Sequence, residues 1–300
     1  MQTRFRAAAT ALLLTATAGL AATGGAAEAS GTHHSSDRSA KTLTITIKTK
    51  AGSLALSDSK FRPGNTVFKV KNAGDKGLIQ ILRLKPGYTL PNAFGDFALA
   101  FPSDPNTPAD VPAVNRIDRN VVFYGGIETP PNSSRPANKW AVKIDKAGTY
   151  YVVNLDANTL TSFKAKGDKQ KRALPAKTGW INATTGPGGA GNAFKAGKHN
   201  AAKGWMSTTN SAHEPHFVDL EEVKKGTTDA DVSAMFGGTG PPVFKKGGHT
   251  VDTGVISPGH TFLWTYGLAK GRYVAMCFWP GKADGMPHAF MGMHKVMNLV

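Results

Sequence analysis

The chain of 300 residues carries 36 Lys plus Arg against 20 Asp plus Glu, a formal net charge of +16, and a single cysteine. Its length exceeds the usual single domain and predicts two, while no segment after the signal-like start approaches the run of about eighteen apolar residues that a membrane span needs. The basic excess suits an acidic protein partner or an anionic cell-envelope component; the lysines are scattered instead of interleaved with aromatics on one element, which argues against nucleic acid.

Residues 1–29 read as a cleaved secretory signal peptide. Arg4 and Arg6 give a basic start, AAATALLLTATAGLAATG is apolar and alanine-rich, and Ala27-Glu28-Ala29 supplies an A-x-A cleavage site. Cleavage removes Arg4, Arg6 and Glu28 and leaves a formal charge of +15. The mature protein is then expected to be secreted or extracytoplasmic and not membrane-spanning. Thiols oxidise in such compartments and cysteines come in pairs. An unpaired Cys277 is therefore either a buried small hydrophobe or a reactive thiol, an intermolecular bridge or a metal ligand.

Residues 30–40 are a small, polar, flexible leader in which His33 and His34 read as solvated. From TLTITIKTK at 42–50 the text changes to alternation of β-branched and polar residues, a half-buried strand. NTVFKVKN, GLIQILRL, NVVFYGG, KWAVKI and GTYYVVNL follow between Gly and Pro punctuation and complete a first β domain over 41–165. The basic stretch over 166–176 reads as a linker. A second β domain over 177–300 then runs through TGWINATT, GWMSTTN, PHFVDLEEV, HTFLWTYGL, GRYVAMCFW and MHKVMNLV. TGPGGAGNAFKAG at 185–197 reads as a long connection, not a phosphate loop. Helix is expected only in short pieces, at TDADVSAMF with Asp229 as its cap and near Pro91 to Phe97.

The two series look like one unit written twice. GLIQILRLKPG at 77–87 aligns with HFVDLEEVKKG at 216–226, VFKVKN ending at Asn72 with WMSTTN ending at Asn210, and AGTYYVVN with KGRYVAMC. Cys277 then corresponds to Asn154 and His216 to Gly77. The first domain keeps the strand pattern without these residues, so the fold does not demand them.

GRYVAMC, with CFWPG after it, resembles the strand that leads into the metal-binding cysteine of cupredoxins such as plastocyanin and azurin. NSAHEPHFVDL resembles their Pro-His segment after an Asn-ended strand, and His288 and Met293 have four residues between them, as the later His and the axial Met do in plastocyanin. The resemblance implies an all-β protein of two tandem Greek-key β-sandwich domains, the first degenerate. It further implies that the second domain binds one copper ion, in a type 1 or related site, through His216, Cys277, His288 and Met293. A thiolate with two imidazoles and a weak axial thioether suits one-electron chemistry, and coordination would explain an unpaired thiol in an oxidising compartment. In the family only a few residues separate the Cys from the next His; here ten do, and KADGMP reads as an insertion. Met286, Met291 and His294 can substitute for Met293 or His288, and His213 can compete with His216.

These features predict an exported copper-binding protein for electron transfer or copper handling in the cell envelope. Two alternatives stand beside it: a metal-free binding module, and Cu(I) sequestration by the C-terminal segment, where five of the eight methionines lie between 276 and 297. No G-x-S-x-G elbow, H-E-x-x-H helix or H-x-H pair appears. The chain is accordingly expected not to be an enzyme.

Overall fold

Along LTITIKTK the side chains of Ile47 and Thr49 are buried and that of Lys48 is exposed, the period of two that a strand imposes. In the computed structural model this segment is β1 (Leu43–Lys50), the start of a chain described over residues 43–50, 53–73, 77–104, 107–129, 138–186 and 191–300. The expected signal peptide and leader, with His33 and His34, lie outside the described residues.

The first half continues with β2 (Ser53–Leu56), β3 (Lys60–Phe61), β4 (Gly64–Asn72), β5 (Gly77–Leu84), α1 (Leu90–Ala100), α2 (Val111–Asn120), β6 (Val121–Thr129), β7 (Lys139–Ile144), β8 (Gly148–Asn154) and β9 (Thr159–Ala165). The second comprises β10 (Gly179–Thr185), β11 (Asn192–Ala196), β12 (Lys203–Thr209), β13 (Asp219–Glu222), α3 (Asp229–Phe236), β14 (Thr250–Asp252), β15 (Thr261–Gly267), β16 (Gly271–Met276) and β17 (His294–Leu299). An eight-stranded sheet in the order β11-β10-β12-β15-β7-β4-β1-β2 runs through both halves. Two smaller sheets, β3-β9-β8-β5-β6 and β14-β13-β16-β17, complete the all-β architecture.

The halves meet within the large sheet, where β15 pairs antiparallel with β7 and Trp264 stands opposite Trp140. Both indoles are fully buried, and each such burial contributes ~2–3 kcal/mol. On the other layer β6 bridges to the second half at Tyr124–Ile256 and Ile127–Thr253. Gln80 of β5 locks this seam: its Nε2 donates to the carbonyls of Gly125 (3.1 Å) and Val255 (3.2 Å), and its Oε1 accepts from the Val255 N–H at 2.6 Å. The stretch expected as a linker lies along the first half, with Asn65 donating to the Arg172 carbonyl and the Arg172 guanidinium to that of Arg62.

Three local expectations are corrected. Helix α2 was not foreseen, although Asp110 accepts from the Ala113 N–H at 2.7 Å, Pro112 lies in its first turn, and Val114 and Ile117 form its buried stripe. The glycine-rich connection ends in a strand, because NAFKA pairs with β10 as β11. Thr228, not Asp229, caps α3; Asp229 instead accepts from the Val296 N–H and the Lys295 ammonium.

The internal correspondence has a physical counterpart. A Cβ on Gly77 would stand 2.9 Å from the Asn154 amide nitrogen, so the two residues that align with His216 and Cys277 fill one place between them. The first half closes this end with glycine and an amide, and the second with imidazole and thiol.

Candidate metal centre

Asn210, at the end of β12, shapes the approach to the first histidine. Its buried amide donates to the carbonyls of Glu214 (2.8 Å) and Ile256 (2.9 Å) and accepts from the Ala212 N–H at 3.0 Å, which folds SAHEPH into a tight turn. His216 is then pinned by reciprocal backbone bonds with Ile256, at 3.1 and 2.7 Å. It precedes β13 and does not open it, because the chain first crosses to the Ile256 segment.

Cys277 follows β16, and the connection beyond it closes on itself. Pro280 bridges to Pro287, the Gly281 N–H donates to the Met286 carbonyl at 2.9 Å, and the Gly285 N–H donates to the Gly281 carbonyl at 2.8 Å. The KADGMP insertion is therefore a hairpin whose ends are adjacent, and the ten intervening residues do not carry His288 away. His288 returns opposite Trp279, its N–H donating to the Trp279 carbonyl at 3.0 Å, and the next N–H, of Ala289, donates to the Cys277 carbonyl at 2.6 Å.

Three donor atoms converge. His216 Nδ1 lies 3.6 Å from Cys277 Sγ, His288 Nδ1 lies 3.8 Å from the same sulfur, and the two Nδ1 atoms are 3.2 Å apart. All three residues are buried. Metal–nitrogen and metal–sulfur bonds of about 2.0–2.3 Å in a trigonal plane would separate such donors by about 3.5–3.8 Å, so the cluster can hold a metal ion with little movement.

No family model and no curated protein matches the chain. Among solved structures it is similar to auracyanin A, a "blue" copper protein from the green thermophilic photosynthetic bacterium Chloroflexus aurantiacus, at 16% identity over 42% of this chain and 100% of that one, with a TM-score of 0.27. It is also similar to a Cu-containing nitrite reductase from Thermus scotoductus, at 9% identity over 86% of this chain and 61% of that one, TM-score 0.24. A multicopper oxidase is similar at 10% identity over 87% of this chain and 89% of that one, TM-score 0.22. Among the described residues the fold is all-β, with its strands in three sheets. The expectation that the chain is not an enzyme is corrected by the same comparison: solved structures similar to it over most of its length include a nitrite reductase and a multicopper oxidase.

Around these three donors the remaining sequence-derived residues take different places. Met293 is fully buried in the core that contains Cys277; its carbonyl accepts from the Cys277 N–H at 3.3 Å and its N–H donates to the His288 carbonyl at 2.9 Å. His294 turns away to Ser233 Oγ, 3.0 Å from its Nε2. Met286 and Met291 are 48% and 45% exposed, and His213 is exposed on the turn before His216. None of these four joins the three converging donors.

Several residues of the site were missed from sequence. Glu214 Oε2 lies 3.1 Å from His288 Nε2 and accepts from the Lys282 N–H at 3.1 Å, while Asn192 donates to Glu214 Oε1 at 3.2 Å. The first half contributes as well. Asn115 of α2 donates to the Lys282 carbonyl at 3.0 Å, and Trp279 packs edge-on against Phe101 and Phe123 at centroid distances of 5.2 and 5.4 Å. Asp118, also on α2, has two buried carboxylate oxygens and lies beside the Trp279 indole nitrogen. The HEPH motif pointed at Glu214's neighbourhood; nothing local in sequence marked Asn115 or Asp118.

The electrostatics follow from this packing. Burial, and then the charge of His288, hold the His216 imidazole well below its ordinary pKa, so it is neutral. Burial also pushes His288 down, but its hydrogen bonds to Cys277 and Glu214 outweigh that and raise it to about 9. Burial would raise Glu214, yet bonds from His288, the Lys282 N–H and Asn192 hold it at about 2. Asp118 is pushed up to about 7, first by burial and then by the charge of Glu214.

Proposed function

We propose that the protein binds one copper ion through His216, Cys277 and His288, with Met293 as axial ligand, and serves electron transfer or copper handling outside the cytoplasm. The observation that carries this reading is the convergence of two imidazole nitrogens and one thiol sulfur at 3.2–3.8 Å in a buried pocket, from segments 61 and 11 residues apart. The donor set is soft and mixed, which favours copper over oxygen-seeking cations. Copper held this way supplies one-electron chemistry.

The chain's own residues set the conditions for that chemistry. Burial keeps water from the thiolate, and the two histidines present Nδ1 on a scaffold fixed by backbone bonds at His216 and His288. Uptake has to displace the proton that His288 holds up to about 9, so binding is favoured by rising pH. The excess of Lys and Arg supports docking to an acidic redox partner or an anionic envelope component.

Titration of the mature protein with Cu(II), followed by visible absorption, tests the reading. One equivalent is expected to give an intense thiolate-to-copper charge-transfer band that Cys277→Ser abolishes. Retention of no copper in either oxidation state would refute it. A second reading, Cu(I) capture, is favoured by the exposed thioethers of Met286 and Met291 on the same loop. Tight Cu(I) binding that survives Cys277→Ser and falls with Met286→Leu and Met291→Leu would establish that one instead.

A further inference from the structure

We propose that Glu214 is a positioning residue that presets His288 for metal, and that the first half of the molecule backs it through Asn115; this rests on the copper reading above. An imidazole whose Nε2 carries the hydrogen must leave Nδ1 bare when neutral, and Nδ1 is the atom that faces Cys277 and His216. Glu214 Oε2, 3.1 Å from Nε2, is an acceptor only and so keeps the remaining hydrogen on Nε2 when the metal displaces the other from Nδ1. His288 is fully buried, so water offers no substitute.

The carboxylate is itself held in place. It accepts from the Lys282 N–H and from the Asn192 amide, while the Lys282 carbonyl accepts from Asn115, whose Nδ2 also donates to the Val111 carbonyl at 3.0 Å. The peptides flanking Lys282 are thus gripped from both halves of the molecule. The inserted hairpin, with no counterpart in the first half, supplies this grip. Without Glu214, the remaining hydrogen-bond partner of His288 Nε2 among the described residues is Asn192 Nδ2 at 3.2 Å, a donor. A donor there favours a bare Nε2 and a protonated Nδ1, the wrong form for a ligand.

The test compares Glu214→Ala, Glu214→Gln and Asn115→Ala with wild type by Cu(II) competition against a chelator. The metal-free proteins are compared by the exchange-protected His288 Nε2–H in proton–nitrogen spectra. Glu214→Ala is expected to weaken Cu(II) binding by about 10–100-fold and to lose the protected Nε2–H. Glu214→Gln, which keeps an acceptor oxygen, is expected to restore that proton and part of the affinity, and Asn115→Ala to show a smaller loss of both. Wild-type affinity and a retained protected proton in Glu214→Ala would overturn the proposal. If wild type binds no copper while Glu214→Ala still loses the proton, the copper reading falls and the positioning role stands.

Discussion

At the residue scale, Asp118 is the group whose ionisation the fold opposes most openly near the site. An unfolded carboxyl titrates near 3.9, whereas Asp118 in the folded protein is held at about 7. Between these values the folded state keeps a proton that the unfolded state has lost, so stability falls as pH rises through that window and stays low above it. The full shift would correspond to about 4 kcal/mol, which partial exposure of the side chain reduces to ~1–3 kcal/mol. Asp118→Asn is therefore expected to raise the urea midpoint at pH 8 and to leave it unchanged at pH 4; equal midpoints at pH 8 would contradict the burial argument. The contrast with Cys277 and His216 shows what sequence carries. A lone thiol in a chain whose start reads as a secretory signal and a Pro-His after an Asn-ended strand are chemically unusual in themselves. Asp118 and Glu214 are ordinary carboxylates until the chain brings them to a buried indole and a buried imidazole.

At the element scale, α2 and the hairpin over 280–287 form one assembly. Gly285 has φ +71°, and a Cβ there would stand 2.9 Å from the Ala109 carbonyl oxygen, so only glycine allows the hairpin to lie against the start of α2. Gly285→Ala is expected to cost ~1–2 kcal/mol in urea unfolding and to weaken metal binding as the hairpin is levered away; unchanged values for both would sink this account of the insertion. Most strands were legible because half-buried strands print a period of two, as in TLTITIKTK and NTVFKVKN. Helix α2 was not read, because ten residues with one short apolar stripe resemble a loop unless the Asp110 cap and Pro112 are taken together. The insertion was legible as extra length only. That it closes between Pro280 and Pro287 depends on backbone pairing that composition does not reveal.

At the scale of the whole molecule, the two halves share a sheet and a core, and both contribute to the surroundings of the candidate metal centre. The β15–β7 pairing, the buried Trp140 and Trp264, and the Gln80 amide join them on both layers, and α2 with Phe101 and Phe123 covers the ligand loop. Calorimetry is expected to give one unfolding transition for the metal-free protein. Gln80→Ala, which strips partners from the backbone groups of Val255, should lower that transition by an amount equivalent to ~1–3 kcal/mol without splitting it. Two resolved transitions in wild type would contradict the shared core. Tandem sandwiches were legible from the repeat of β4, β5 and β8 in β12, β13 and β16; their fusion was not, because edge pairing between distant strands leaves no mark in either strand alone.

The central claim is that two imidazoles and one thiolate meet on a single copper ion. X-ray absorption at the copper edge, on protein loaded with one equivalent of Cu(II), tests it most directly. The account predicts one short sulfur neighbour and two nitrogen neighbours, with the sulfur lost in Cys277→Ser and one nitrogen lost in either His216→Ala or His288→Ala. A first shell of nitrogen and oxygen only in the wild type, or one that Cys277→Ser leaves unchanged, would contradict it.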